Sequence, residues 1–499
     1  MEGEIMVNKK QYIHYIIAVI LGVVLALALS PQIQDDPSVG LTAAGVRTIA
    51  FMVPILYLWL TTNTHWTCLL AMALLVFSGA FVNPDTGAIN PNAVWQASMG
   101  HFVVITVIAY MILNVALKEN GVIDKIAMWF VTRKFVQGKP YAFMAMFFAA
   151  NIIIGFFVDN ISLAVIFIGI AEVLCRNIGL KKGDQMYTVL MLGTLWGNCL
   201  LSICSPIAHA LPNIIMGMVE TATEGALTIS YAQWMGFGVI YSIIIFVLMM
   251  VVIRIWNPDT SAFKNYDVEA IKAEAKPLGK NGIFTAVIFI IIVFFVLAPS
   301  IAKDVTPFFG FLNQCGVVVP ALLGIVVLAI TQFDGKHVLD VPSAFKQVNM
   351  PPVIFAGVVS AFAGPLAANA NTGISVWLGN VLRPTLGSMN PTVAVIIMIA
   401  LAIVMTNFLS NTVTQALFFS IGVVILQGST ISLAAFGLII AIASGMATIT
   451  PSAAVPSPFF FGPGHLTMKP TLKPNLLFVI ICFVVCAFIG LPLANAMIG

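Results

Sequence analysis

The sequence predicts an all-α polytopic membrane protein with about eleven transmembrane helices and two re-entrant helical hairpins, arranged as an inverted repeat. Three observations carry this. Of the 499 residues, 60% are hydrophobic and only 8% charged, whereas a soluble domain carries about a quarter charged residues. The apolar runs, such as 12–30 and 282–300, last about twenty residues, the length at which a helix crosses the hydrocarbon core; barrel strands would alternate in segments of about ten. Two further apolar stretches, 141–175 and 389–427, each have the length of a pair of half-helices.

The single spans are expected at 12–30, 41–60, 66–83, 98–117, 185–215, 231–253, 283–300, 314–332, 353–381, 432–460 and 475–498. Lys9 and Lys10 give the first run the look of a signal peptide. It is long enough to span, however, and the charge pattern calls for a cytoplasmic N-terminus, so it is read as a retained first helix. Basic residues in short loops mark the cytoplasmic side. Lys118, Lys125, Arg133, Lys134 and Lys139 precede 141–175, and Arg176, Lys181 and Lys182 follow it; that stretch therefore enters and leaves on the inside. The linker 254–282, with Arg254, Lys264, Lys272, Lys276 and Lys280, is also placed inside, together with Lys336, Lys346, Lys469 and Lys473. Only Arg47, Lys303 and Arg383 of the basic residues fall outside. The stretch 389–427 then opens outward, and the C-terminus lies outside a cell (inner) membrane. The net charge of +3 is too small and dispersed to suggest a nucleic-acid partner. The seven cysteines form no CxxC pair or zinc spacing and read as small core residues.

The two hairpins are weakly alike. Phe157-Val158-Asp159-Asn160-Ile161 aligns with Phe408-Leu409-Ser410-Asn411-Thr412, and Phe167 then meets Phe418. Each hairpin is followed by an apolar segment interrupted by small residues and proline: Trp196 to Pro206, then Pro212-Asn213, and Ser444 to Pro451, then Pro456 and Pro458. Proline breaks a helix, and broken backbone at membrane depth survives only where protein or a water-filled cavity satisfies it. Paired interruptions in two oppositely oriented halves point to a transporter's central site.

Helix N-termini at such tips suit an anion, and exposed carbonyls with Ser, Thr and Asn oxygens suit a small hard cation such as sodium. Thr406, Ser410, Asn411, Thr412, Thr448 and Thr450 form a dense set of neutral oxygens in apolar sequence. Asp159 is the one acid expected deep in the membrane region, where ionisable groups default to a functional reading. It is open to sodium binding, proton carriage or a simple helix cap. His209 is a weaker candidate, His65 and His101 sit near expected interfaces, and Glu172 with Arg176 reads as an i, i+4 salt bridge.

Ser410-Asn411-Thr412, with Thr406 upstream and Thr450-Pro451 downstream, resembles the second signature and break of the divalent-anion/sodium symporter family. Ser205-Pro206 to Pro212-Asn213 resembles a degenerate first break. The resemblance implies a homodimer with an elevator-type mechanism. Residues 1–117 and 283–352 would be scaffold and 231–282 a scaffold helix with its cytoplasmic linker. Residues 118–230 and 353–499 would each carry a hairpin and a broken helix, the second ending in the last helix. It implies substrate contacts at Asn160, Ser205, Pro206, Ser410, Asn411, Thr412, Thr450 and Pro451. One sodium site would be built from Thr406, Asn411 and the backbone at Ile449–Thr450, and a counterpart from Asp159, Asn160 and the backbone at Cys204–Ser205. No cofactor is expected beyond coupling sodium ions.

This chain departs from the pattern at Asp159-Asn160-Ile161, where the family has Ser-Asn-Thr; the Asp-Asn pair is similar to arsenite-permease and sodium/proton-antiporter branches of the same superfamily. A bare carboxylate there repels a substrate carboxylate. The second break also reads Pro451-Ser452 where the family has two prolines and an asparagine. The expectation is a secondary active transporter of a small organic anion, of the di- or monocarboxylate class, coupled to sodium or protons or working by exchange. The alternative is a sodium/proton antiporter or other inorganic-ion permease using Asp159. No HExxH stretch or recognisable Ser/His spacing suggests an intramembrane enzyme.

Overall fold

The computed structural model describes residues 9–62, 65–83, 86–265, 277–366, 370–386, 390–451 and 453–499. Ser452 and the linker residues 266–276, with Lys272 and Lys276, lie outside these. The described chain is helical apart from a short antiparallel ribbon, Gln332–Phe333 with Lys336–His337. In the first half, α1 (Lys9–Leu29), α2 (Ala43–Thr61), α3 (His65–Ser78) and α4 (Pro91–Ala97) lead into α5 (Phe102–Glu119) and the short α6 (Val122–Val131). The first hairpin is α7 (Pro140–Gly155) with α8 (Asn160–Asn177), followed by α9 (Gln185–Trp196), α10 (Ala210–Ala222) and α11 (Tyr231–Trp256).

The second half repeats this order: α12 (Lys280–Ala302), α13 (Pro307–Cys315), α14 (Val318–Ile330), α15 (Val341–Gln347), α16 (Met350–Ala363) and α17 (Ile374–Leu386). The second hairpin is α18 (Pro391–Thr406) with α19 (Asn411–Ile425); α20 (Leu433–Ser444), α21 (Ser457–Phe461), α22 (Met468–Val485) and α23 (Leu491–Ile498) close the chain.

Among the described residues, six helices are long and apolar enough to cross a bilayer, or up to eight if two bent pairs each count as one span; length alone does not give the expected eleven. The expected span 353–381 is instead two elements, α16 and α17, separated by a 3-10 turn at Gly364–Leu366, where Pro365 cannot continue the helix. The run 432–460 is likewise helical only to Ser444 and resumes at Ser457.

The centre is built from helices buried on every side. Every residue from Met186 to Trp196 in α9 and from Ala434 to Ser444 in α20 is buried, as expected of helices apolar on all sides. The periphery is equally apolar but exposed: Val19 and Leu27 on α1 and Ile290 on α12 are 67%, 70% and 67% exposed. An apolar surface of that extent belongs against lipid.

Each hairpin is preceded by an amphipathic helix: α6 before the first, outside every expected span, and α17 before the second, which begins within the expected span 353–381. Both start after a glycine in the left-handed region, Gly121 at φ +70° and Gly373 at φ +61°, which other residues adopt only with strain. A Cβ at Gly121 would meet open space, whereas one at Gly373 would collide with the Gly40 carbonyl oxygen.

Candidate functional site

At the first tip, Asp159 caps α8: its Oδ1 accepts the N–H groups of Ile161 at 3.1 Å and Ser162 at 2.9 Å. The dipole of that N-terminus therefore already faces a carboxylate. Asn160 sits 3.2 Å from His209 Nε2 through its side-chain amide, and its carbonyl accepts from Asn198 Nδ2 at 2.7 Å. His209 caps α10, its Nδ1 accepting the Leu211 N–H at 3.1 Å. A neutral ring so arranged carries its proton on Nε2, so a hydrogen bond between the two requires the Asn160 amide turned to present its oxygen in place of Nδ2.

The first break opens into a π-helical turn at Gly197–Leu201 and a 3-10 turn at Ser202–Cys204. Its freed carbonyls are met from inside the protein. Trp234 Nε1 donates to Ile203 at 2.9 Å, and Asn213 Nδ2 donates to Pro206 at 2.6 Å and His209 at 3.1 Å. Tyr231 holds Asn213 in turn by donating its hydroxyl to Oδ1. The Cys204 carbonyl faces Gly238 of α11, where a Cβ would stand 2.2 Å from it. Ser205 is fully buried, its Oγ accepting the Ile207 N–H at 3.2 Å.

The second tip is organised by a residue the sequence reading passed over. Asn407, 2% exposed, donates to the carbonyls of Ile403 at 2.8 Å and Met446 at 2.9 Å, and accepts from the N–H groups of Thr448 at 3.0 Å and Ile449 at 2.8 Å. Thr450 Oγ1 donates to the Asn407 carbonyl. One amide thus uses its full complement of donors and lone pairs to stitch the hairpin to the second break. Beside it, Thr406 Oγ1 lies 3.0 Å from Asn411 Oδ1 and also contacts the Ser444 carbonyl. Three oxygens meet there without a charge. Asn475 completes the second break, accepting from Trp196 Nε1 and Thr448 Oγ1, both at 2.8 Å. Its sequence signal was its place directly after Thr406, at the end of α18 and three residues before the Ser410-Asn411-Thr412 motif.

Both halves reach one cavity of about 290 Å³. Asp159, Asn160 and Ser162 of the first hairpin, Pro206 to Leu211 of the first break, Thr412 of α19 and Val455 beyond the second break line it. Tyr110, Asn114 and Lys118 of α5 and Gln347, Asn349 and Pro352 face them. Of the candidates named from sequence, Asp159, Asn160, Pro206, His209 and Thr412 meet there. Thr406, Asn411, Ile449 and Thr450 gather around Asn407 instead, Cys204 and Ser205 lie buried behind Pro206, and Ser410 and Pro451 are exposed. Ser410 makes no side-chain capping bond, so the first N–H groups of α19, which have no intrahelical partner, carry no side-chain cap. A larger cavity of about 1080 Å³, lined by Glu119, Asp124, Lys125, Lys280, Asp334 and Lys336 among others, contains no tip residue. Glu172 reaches His465 Nδ1 at 3.6 Å rather than Arg176, because the turn after α21 folds over the end of α8. No group of three or more His, Cys, Asp or Glu able to hold a metal ion occurs among the described residues.

Paired hairpins and paired broken helices around a small polar cavity define a transmembrane transporter. The family model for citrate transporters, CitMHS, matches residues 55–447, and the chain belongs to that family. The divalent-anion/sodium symporter family suggested by the tip signature is not the one matched. The chain is 22% identical over 361 residues to an uncharacterized transporter of Haemophilus influenzae, covering 71% of this chain and 73% of that one. It is 26% identical over 148 residues to the uncharacterized transporter YfbS of Escherichia coli, covering 30% and 24%. In fold it is similar to the YdaH transporter of Alcanivorax borkumensis, whose structure is described as having an unusual topology (TM-score 0.53, 12% identity, 90% of this chain and 97% of that one).

Proposed function

We propose that this protein carries a small organic anion of the di- or monocarboxylate class across the membrane by secondary active transport, with sodium as the coupling ion. The observation that supports this most is the pairing of the uncapped α19 N-terminus at Thr412 with the neutral oxygen cluster of Thr406, Asn411 and Ser444 just behind it. Open N–H groups favour an anion, and clustered neutral oxygens favour a hard cation. The cavity, about 290 Å³, lies at the lower end of the range for ligand sites, about 300–1,000 Å³, which fits a compact solute. Asp159 and Lys118 cancel formally among its lining residues, so the anion's charge falls to helix dipoles and a co-bound cation. In this reading two copies pair in the inner membrane, and the hairpins and broken helices move as a body against the remaining helices.

The test is succinate and citrate uptake into proteoliposomes under an inward sodium gradient, an inward proton gradient, or neither. Sodium-stimulated uptake that Thr412→Val and Asn411→Ala abolish is the expected result. Uptake unchanged in both variants overturns the site. The antiporter reading rests on Asp159 facing the cavity; it requires sodium-driven proton movement without organic substrate, lost in Asp159→Asn.

A further inference from the structure

The cavity of about 1080 Å³ contains no tip residue, yet its size stands at the upper end of the range for ligand sites, about 300–1,000 Å³. One of its walls is apolar. Val165, Gly169 and Val173 of α8, with Ile166, Ile170 and Leu174 beside them, recur at four-residue intervals and so form a stripe along one face. Val165 is 43% exposed, and a Cβ at Gly169 would meet nothing within 4 Å; the stripe is open rather than packed. The rest of the lining is charged and comes from the ends of elements. Glu119 closes α5, Asp124 and Lys125 lie in the first turn of α6, Lys280 opens α12, and Asp334 and Lys336 stand at the turn of the ribbon.

Apolar and charged walls in one cavity match the boundary between hydrocarbon and headgroups, and α6 carries the marks of that boundary. Trp129 is 52% exposed, with the Arg133 guanidinium 3.8 Å from its ring centroid; Trp gathers at the headgroup level of a bilayer, with basic residues beyond the ends of the spans. The charges then narrow the headgroup. Lys280 pairs with Asp334 at 4.0 Å, and Glu119 accepts from Gln347 at 2.7 Å. Among the described residues Lys125, Lys336 and Asp124 form no ion pair. Two cations and one carboxylate suit a group that bears both signs: the lysines take a phosphate, and Asp124 accepts N–H donors from an ammonium. A choline headgroup has no N–H to give, and a glycerol headgroup has no positive charge for Asp124.

We propose that this cavity seats a phosphatidylethanolamine, its phosphate held by Lys125 and Lys336, its ammonium on Asp124 and an acyl chain along the α8 stripe. Since α8 is an arm of the first hairpin while α12 and the ribbon belong to the second half, the lipid fills the seam between them.

The full-length protein in detergent is titrated with the dioleoyl forms of phosphatidylethanolamine, phosphatidylglycerol and phosphatidylcholine, and bound lipid is read by native mass spectrometry. Wild type is expected to hold one ethanolamine lipid about threefold to fivefold more tightly than either of the others, the discrimination that partly exposed ion pairs supply. Gly169→Leu grows a side chain into the open space, should keep or raise Tm, and should lose the tightly held lipid. Asp124→Asn should bring the ethanolamine lipid level with the glycerol lipid. If Gly169→Leu melts early, the double variant Lys125→Ala/Lys336→Ala, which alters only exposed side chains, carries the same expectation of lost binding. Equal binding of the three lipids by wild type overturns the proposal, as does unchanged binding in a folded Gly169→Leu or in the double variant. Competition by glycerophosphoethanolamine as strong as by the intact lipid also overturns it, because the site then belongs to a soluble headgroup.

Discussion

Replacing Asn407 by leucine keeps its bulk and removes every bond its side chain makes. The Met446 carbonyl and the Thr448 and Ile449 N–H groups then lose their partners, in a place where Asn407 itself is 2% exposed. Each buried group left unsatisfied costs about 1–3 kcal/mol, so the three together amount to about 3–9 kcal/mol before relaxation. That is comparable with the whole stability of an ordinary domain, about 5–15 kcal/mol. Asn407→Asp keeps an acceptor for the two N–H groups but turns an oxygen onto the Ile403 and Met446 carbonyls and buries a carboxyl group, so it should destabilise as well. Thermal unfolding in detergent can be followed with a thiol-reactive dye, because Cys68, Cys175, Cys199, Cys204, Cys482 and Cys486 are all buried and free. The expected outcome is a fall in Tm of about 5 °C or more for Asn407→Leu, with Asn407→Asp also below wild type. A leucine variant that melts within about 1 °C of wild type would falsify the view that this amide holds the second break together.

The cap at Asp159 predicts an order. Asn caps as well as Asp, while alanine costs about 0.5–2 kcal/mol, so Asp159→Ala should melt below Asp159→Asn; the reverse order removes the capping role. Gly238→Ala drives a methyl group to 2.2 Å from the Cys204 carbonyl oxygen, an overpacking that costs about 1–3 kcal/mol and should lower Tm; an unchanged Tm means that α11 and the first break are not pressed together. At the end of α8, His465 sits beside Tyr187 at 2.6 Å. Burial, aided by Lys182 and opposed by Glu172, holds its pKa below the ordinary value. The unfolded chain then takes up the proton first, so this residue's contribution is present above about pH 6.5 and is lost as pH falls below it. Melting curves from about pH 5 to 7.5 should be flatter for His465→Gln than for wild type, and parallel curves exclude the effect.

The hairpins were legible because their signal is long: 141–175 and 389–427 stand against observed helices spanning 140–177 and 391–425. The amphipathic α6 was not, since a few apolar residues among basic ones look like loop until a neighbour covers one face, and α17 was merged into the span 353–381. Gly364-Pro365 sat within a run so apolar that composition hid the break. At the tips, the motifs drew attention to Asp159-Asn160 and Ser410-Asn411-Thr412 and away from Asn407 just before the second, whereas Tyr110 and Asn114 are single polar residues inside an apolar helix. Nothing in a linear pattern says whether such a residue faces lipid, a neighbour or a cavity. That is decided by contacts far along the chain, such as the one from Asn407 to Met446.

The two left-handed glycines ahead of α6 and α17 give the halves joints of unequal tolerance. At Gly121 a side chain has room and meets only the backbone's own reluctance; at Gly373 it must also push aside the turn that ends at Gly40. Both joints use a left-handed glycine, but one stands in open space and the other is wedged against the Gly40 carbonyl. Engineered linkers, tags or cross-links intended to report on the hairpins would therefore be borne at the first joint and resisted at the second.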